Sequence, residues 1–121
     1  MSEQCILVVD DDAAIRGLIR LVLRRDNYNV EEAINGEEAM ARMRIKKYDA
    51  VVLDLMMGPG NGVEVLDALK TKRPGEKCVI VVSATSERTI NQLDGENIFA
   101  KIRKPFDVDD LLRAVRECVE Q

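Results

Sequence analysis

Three short apolar runs, Ile6-Leu7-Val8-Val9, Ala50-Val51-Val52-Leu53 and Val79-Ile80-Val81-Val82, are rich in β-branched residues and show no alternation of apolar with polar positions. Strands covered on both faces read this way, because side chains pointing up and side chains pointing down both meet apolar neighbours. Between the runs, apolar positions recur at spacings of three and four: Ile15, Leu18, Ile19 and Val22, then Val108, Leu111, Leu112 and Val115 near the end. That is the stripe of a helix packing on a sheet. Asn35 three residues before Glu38, and Asp107 three before Asp110, mark helix starts. The pattern predicts strands at 5–10, 28–33, 49–54, 77–83 and 98–103, and helices at 13–25, 36–46, 62–71, 86–94 and 108–120, the helix at 86–94 resting on Ile90 and Leu93 alone. Strand and helix alternate five times, so the expected fold is α/β, a doubly wound parallel five-stranded sheet with right-handed crossovers. No repeat, low-complexity tract or linker interrupts it, and residues 1–121 read as a single domain.

Composition narrows the function classes. Hydrophobic residues make up 46% and charged residues 33%, the balance of a soluble globular protein. No apolar run approaches the roughly 18 residues that a membrane-spanning helix needs, and the opening "MSEQCILVVD" has no basic region ahead of its apolar stretch, so no secretory signal is expected and the location is read as cytoplasmic. A net charge of −4, with only short basic pieces at Lys70 to Arg73 and Lys101 to Lys104, argues against direct nucleic-acid binding by this domain. Cys5, Cys78 and Cys118 are odd in number and embedded in apolar segments, which predicts buried free thiols. The chain has no histidine, which removes Ser-His-Asp and Cys-His catalysis and most zinc sites. Chemistry must run on carboxylates, hydroxyls and lysine.

In an open parallel sheet, ligands bind beyond the carboxyl ends of the strands at the switch in strand order. The predicted ends carry Asp10, Asp11 and Asp12 after the first strand, Asp54 on the third, Ser83 on the fourth and Lys104-Pro105 after the fifth. Taken singly these residues are ordinary: an acidic triplet starts many helices, the role expected of Asp12, serines cap helices, and lysines are mostly solvated. Brought together they are not. Clustered carboxylates repel, and a divalent oxygen-seeking cation such as Mg²⁺ resolves the repulsion. A hydroxyl and a lysine beside that cluster suit an anion bound next to the metal, phosphate above all, and a carboxylate can itself be the nucleophile toward phosphorus.

The motifs "ILVVDDD" at 6–12, "YDAVVLDLMM" at 48–57, "VIVVSATS" at 79–86 and "KPF" at 104–106 together resemble the receiver domain of two-component response regulators. The resemblance spans essentially the whole chain and implies a flavodoxin-like (βα)₅ fold. It implies that Asp54 accepts a phosphoryl group from a sensor histidine kinase or a histidine phosphotransfer protein. It also implies that Asp11, Asp54 and the backbone carbonyl of Met56 ligate Mg²⁺, with Asp10 in contact mainly through water. Ser83 would hydrogen-bond a phosphoryl oxygen and Lys104 would pair with the carboxylate or its phosphate. A cis Lys104-Pro105 bond, and an influence of the side chains of Met56 and Thr85 on hydrolysis of the phosphoryl group, are further implications.

The implied function is a switch without a separate substrate: phosphorylation of Asp54 changes the surface at residues 86–120, which controls a downstream protein target or a fused effector domain outside this chain. Acidic and basic residues on helices 86–94 and 108–120 suit a homodimer or another partner. Two departures from the family pattern stand out. Lys101 occupies the place of the usual aromatic residue three before the lysine of the KPF motif, with Phe99 expected on the same strand face, and the turn after Asp54 reads Met57-Gly58-Pro59-Gly60, its proline shifted by one. Gly62 is free to adopt the positive φ that a turn before a helix can demand. The alternatives are a docking module that is never phosphorylated, which the complete set of five site residues argues against, and an aspartyl-phosphate phosphatase, which needs a second carboxylate where Met56 stands.

Overall fold

The computed structural model describes residues 4–55, 62–84, 87–92 and 95–121. Among them strand and helix alternate in the expected order: β1 (Cys5–Val9), α1 (Ala13–Arg25), β2 (Asn29–Ala33), α2 (Gly36–Ile45), β3 (Ala50–Asp54), α3 (Gly62–Lys72), β4 (Val79–Ser83), α4 (Glu87–Gln92), β5 (Ile98–Arg103) and α5 (Val108–Glu120). The expected boundaries hold to within two residues where they can be compared. Leu93, half of the apolar signal for the fourth helix, lies outside the described residues; its partner Ile90 is buried.

The five strands form one parallel sheet in the order β2-β1-β3-β4-β5. The unbroken apolar runs have the predicted cause. Leu7, Val9, Val51, Leu53, Val79 and Val81 face one layer, where α2 contributes Ala39 and α3 contributes Val65, Leu66 and Leu69. Their chain neighbours Ile6, Val8, Ala50, Val52, Ile80 and Val82 face the other, against Ile19 and Leu23 of α1 and Leu111, Val115 and Cys118 of α5. Truncating one such fully buried leucine to alanine costs about 2–5 kcal/mol. All three cysteines are buried free thiols, as expected.

Local chemistry fixes the helix ends. Asp12 caps α1, its carboxylate accepting from the amides of Ala14 and Ile15 at 2.9 and 3.2 Å, and Asn35 and Asp107 cap α2 and α5 in the same way. At the other end of α1 the chain turns through Asn27 at φ 68°, with Tyr28 N–H bonding to the Leu23 carbonyl and Asn27 N–H to that of Arg24. This is a Schellman closure with asparagine in the left-handed position.

Two expectations are corrected. Gly62 is not required for a positive φ; it is required for space, since a Cβ there would lie 2.8 Å from the Leu55 Cα and 3.0 Å from the Asp54 carbonyl oxygen. Phe99 and Lys101 do not share a face by simple alternation. The register of β5 against β4 shifts between Val79 and Ile80, leaving Phe99 as the extra residue. Phe99 packs with Ala100 and Ile102 on the α1/α5 layer, whereas Lys101 is the register partner of Val81, which faces the other layer.

Candidate functional site at the carboxyl end of the sheet

The chain leaves β1 for β2 on one side and then crosses to β3 on the other, so strand order reverses between β1 and β3. Crossovers diverge there and leave a crevice at the carboxyl ends. Asp10 follows β1 directly, Asp54 is the last residue of β3, and both are almost fully buried at 2% and 4% exposure. Asp11, next along, is exposed. One carboxylate oxygen from each of Asp10, Asp11 and Asp54 lies within 4.8 Å of the others.

Lys104, reached through the last strand, extends its ammonium between two of them. Its Nζ donates to Asp10 Oδ2 at 2.9 Å and to Asp54 Oδ2 at 3.2 Å. Burial works against the ammonium charge, but the hydrogen bond to Asp10 and the charges of Asp54 and Asp10 outweigh it, so the Lys104 pKa is held above the ordinary lysine value. The Lys104-Pro105 peptide is cis, and the Lys104 N–H donates to the Ser83 carbonyl at 2.8 Å. The same bond brings Lys104 beside Ser83, the fully buried last residue of β4. Three carboxylates against one ammonium leave the crevice with excess negative charge, which is the state in which a hard divalent cation binds through carboxylate oxygens.

Asp10 is anchored from several sides. Its Oδ1 accepts the Asp12 amide at 2.9 Å, its own amide bonds to the Ala33 carbonyl, and its carbonyl accepts from Arg16 at 2.8 Å. Arg16 is in turn held by Glu32 of β2 at 3.0 Å, and Arg20 reaches the same carboxylate at 2.8 Å. Sequence reading did not single out Arg16. Its spacing of four from Arg20 on a helix beside an acidic strand was the available signal.

Of the residues expected at the site, Asp10, Asp11, Asp54, Ser83 and Lys104 come together at one edge. Met56, Thr85 and the Met57-Gly58-Pro59-Gly60 turn lie outside the described residues. No helix is long and apolar enough to cross a membrane among the described residues.

Comparison with known proteins agrees with this arrangement. The family model for the response regulator receiver domain matches residues 6–116. The transcriptional regulatory protein ResD of Bacillus subtilis is 38% identical over 95% of this chain, and the response regulator ArlR of Staphylococcus aureus 31% identical over 92%. The chain spans about half the length of these relatives, 48% and 50%. Among solved structures, a CheY-like response regulator receiver domain protein from Methanospirillum hungatei superposes with a TM-score of 0.87 at 30% identity, covering 98% of this chain and 95% of that one. Response regulator TrrA from Thermotoga maritima, solved in complex with Mg²⁺-BeF, superposes with a TM-score of 0.84 at 31% identity over 95% of this chain and 98% of its own. The doubly wound order and the strand-end carboxylates, which the sequence pattern pointed to, therefore have a common origin: this chain belongs to the response regulator receiver domain family of two-component systems, a signalling fold and not a classical enzyme family.

Proposed function

We propose that this receiver domain, residues 1–121, takes a phosphoryl group onto Asp54 from a phosphohistidine of a sensor kinase or a histidine phosphotransfer protein. The observation that supports this best is the buried Asp54 carboxylate at the switch point, 3.2 Å from the Lys104 ammonium and beside Asp10 and Asp11. An Asp54 oxygen attacks phosphorus, the O–P bond forms as the donor N–P bond breaks, and the departing imidazole nitrogen takes up a proton. Lys104 offsets the charge gathering on the transferring group, and the Ser83 hydroxyl donates to one of its oxygens. Later hydrolysis reverses the loading: water attacks phosphorus, the Asp54 carboxylate is restored and inorganic phosphate leaves.

Asp10, Asp11 and Asp54 have the donor type and the spacing to hold Mg²⁺, and the resemblance to receiver domains adds the backbone carbonyl of Met56 as a further ligand. When bound, the cation supplies charge neutralisation for the carboxylates and the phosphoryl oxygens. Similarity to a regulator solved with Mg²⁺ supports this choice of ion. Phosphorylation then shifts a two-state equilibrium at residues 86–120, through charge-assisted contacts of Ser83 and Lys104 with the new phosphate, and so changes affinity for an effector, fused or separate, in the cytoplasm.

Intact-mass spectrometry after incubation with acetyl phosphate tests the proposal. A single phosphate adduct that needs Mg²⁺ and vanishes in Asp54→Ala is the expected result. A folded wild-type protein that binds Mg²⁺ and gains no adduct would overturn it in favour of a docking module.

A further inference from the structure

At the pole opposite Asp54, the C-terminal ends of α2 and α3 border a groove. A cavity of about 280 Å³ there has Met43, Tyr48 and Leu69 among its lining. It adjoins a second, of about 320 Å³, through the shared Met43, Arg44, Leu69 and Lys72. Ile45, the last residue of α2, is 88% exposed at its edge, an apolar side chain left in water beside an apolar trough. The first cavity is rimmed by Arg44, Lys46, Lys47, Lys72 and Arg73, with no carboxylate among its described lining. Three of these cations are already answered: Lys46 by Glu31, and Lys47 and Arg73 by Glu76. Among the described residues no carboxylate pairs with Arg44 or Lys72; the Lys72 ammonium donates to the Met43 carbonyl at 3.1 Å, which fixes its position on the rim.

We propose that this groove is a docking site for an acidic peptide segment of a partner protein, one with an apolar anchor flanked by aspartates or glutamates. The anchor covers Ile45 and Met43 while the flanking carboxylates pair with Arg44 and Lys72. Two features select this occupant. An apolar lining of this size has no use for an inorganic anion, which needs only donors. A nucleic-acid backbone needs a continuous cationic track, and here most of the rim is neutralised on a domain of net charge −4. An acidic peptide is steered to the cations that line this groove and away from the carboxylates at the other end. The site does not depend on phosphorylation of Asp54, and its position leaves the phosphoacceptor open to a kinase at the same time.

Amide chemical-shift titration of the ¹⁵N-labelled chain tests it. The probe is a synthetic peptide of about 12 residues carrying one Leu-Phe pair among aspartates and glutamates. Saturable shifts confined to residues 43–48 and 69–73 are expected, with the affinity weakened at least about tenfold by Arg44→Glu combined with Lys72→Glu, and similarly by replacing Leu-Phe with serines. Both substitutions lie on the surface, so a preserved amide spectrum and unchanged Asp54 loading by acetyl phosphate certify the fold. Absence of saturable shifts, shifts centred elsewhere, indifference to the Leu-Phe pair, or equal shifts from inorganic phosphate or a short oligonucleotide would each overturn the proposal.

Discussion

The two ends of the parallel sheet solve opposite electrostatic problems. Among the described residues at the carboxyl end, three carboxylates, Asp10, Asp11 and Asp54, gather within 4.8 Å, and the Lys104 ammonium reaches two of them, Asp10 and Asp54. At the amino end one carboxylate, Glu31 of β2, accepts from three oxygen and nitrogen donors, Tyr48 Oη at 2.6 Å, Lys46 Nζ at 2.8 Å and Arg42 at 3.2 Å, with the Cys5 thiol a weaker fourth at 3.8 Å. Helix direction accounts for the bias. Every crossover helix starts near the carboxyl end of the strand before it, so the positive helix termini gather around the carboxylates. The negative termini gather at the other end, where α1, α2 and α3 carry Arg24 and Arg25, Arg42 and Arg44, and Lys70 and Lys72 in their last turns. The dipoles ease the acidic end without neutralising it. A group whose partners fully answer it holds the fold together, whereas a group left in excess is available to a ligand.

The largest effect expected from this contrast is on phosphoryl loading. Lys104→Met keeps the aliphatic stem and removes the ammonium that bonds both Asp10 and Asp54, so the rate of Asp54 phosphorylation by acetyl phosphate should fall by about 100-fold. Lys46→Met removes one of the donors to Glu31 at the far end and should leave that rate unchanged. Equal rates in all three proteins would show that the two ends do not differ in chemical role. Next in size, Glu31→Gln weakens the hydrogen bonds that Glu31 accepts, those from the cations Arg42 and Lys46 above all, and should lower unfolding free energy in urea by about 1–2 kcal/mol with no change in loading. An unchanged urea midpoint would mean that the amino-end network is ornamental.

The sequence made the acidic end legible and hid the other, for a physical reason. Asp54 interrupts an apolar run and Lys104 precedes Pro105-Phe106, so each breaks a local pattern and draws notice. Glu31 and Glu32 break nothing. They sit on the edge strand, where charged residues are ordinary, and only the fold shows that they point to opposite faces, one to Arg42, Lys46 and Tyr48 and the other to Arg16 and Arg20. The strand and helix order was readable because each apolar run is buried on both faces. The register shift that separates Phe99 from Lys101 was not, since a single extra residue leaves the composition of a strand unchanged. Gly62 was visible as a glycine, but the backbone of Leu55 that it must clear lies just past the end of β3, out of reach of a local pattern.

Tyr48 allows the amino end to be read by pH. Its ring is buried, and burial followed by the hydrogen bond to Glu31 pushes its pKa from 10.0 up to about 12. A raised pKa means that the folded state holds the proton more tightly, so the stabilisation is complete below pH 10 and lost as pH rises from there through about 12. Glu31 behaves in the opposite sense. The hydrogen bonds from Lys46 and then Tyr48 outweigh burial and lower its pKa from 4.5, so its contribution is present above 4.5 and lost as pH falls through the lower folded value. Tyr48→Phe should therefore cost about 1 kcal/mol near neutrality. The gap in melting temperature between the two proteins should narrow above pH 10 and again below 4.5. A gap that stays constant to pH 12 would separate the Tyr48 hydroxyl from the stability of this end.

The smallest effect is the one that puts the acidic end against itself. Asp11 repels Asp10 and Asp54, and among the described residues the Lys104 ammonium reaches those two and not Asp11. Asp11→Asn thus removes two repulsions and none of the Lys104 attractions, and in buffer without divalent ions it should raise the melting temperature by about 2 °C. Adding Mg²⁺ should reverse the order. The wild type gains the free energy of binding a cation to three carboxylates, the variant binds more weakly with two, and a ligand stabilises only as far as it binds the folded state. Paired thermal melts with and without millimolar Mg²⁺ decide the matter: curves that cross show charge held in excess for a ligand, whereas a variant less stable than wild type in both buffers would show that Asp11 belongs to the structure, as Glu31 does.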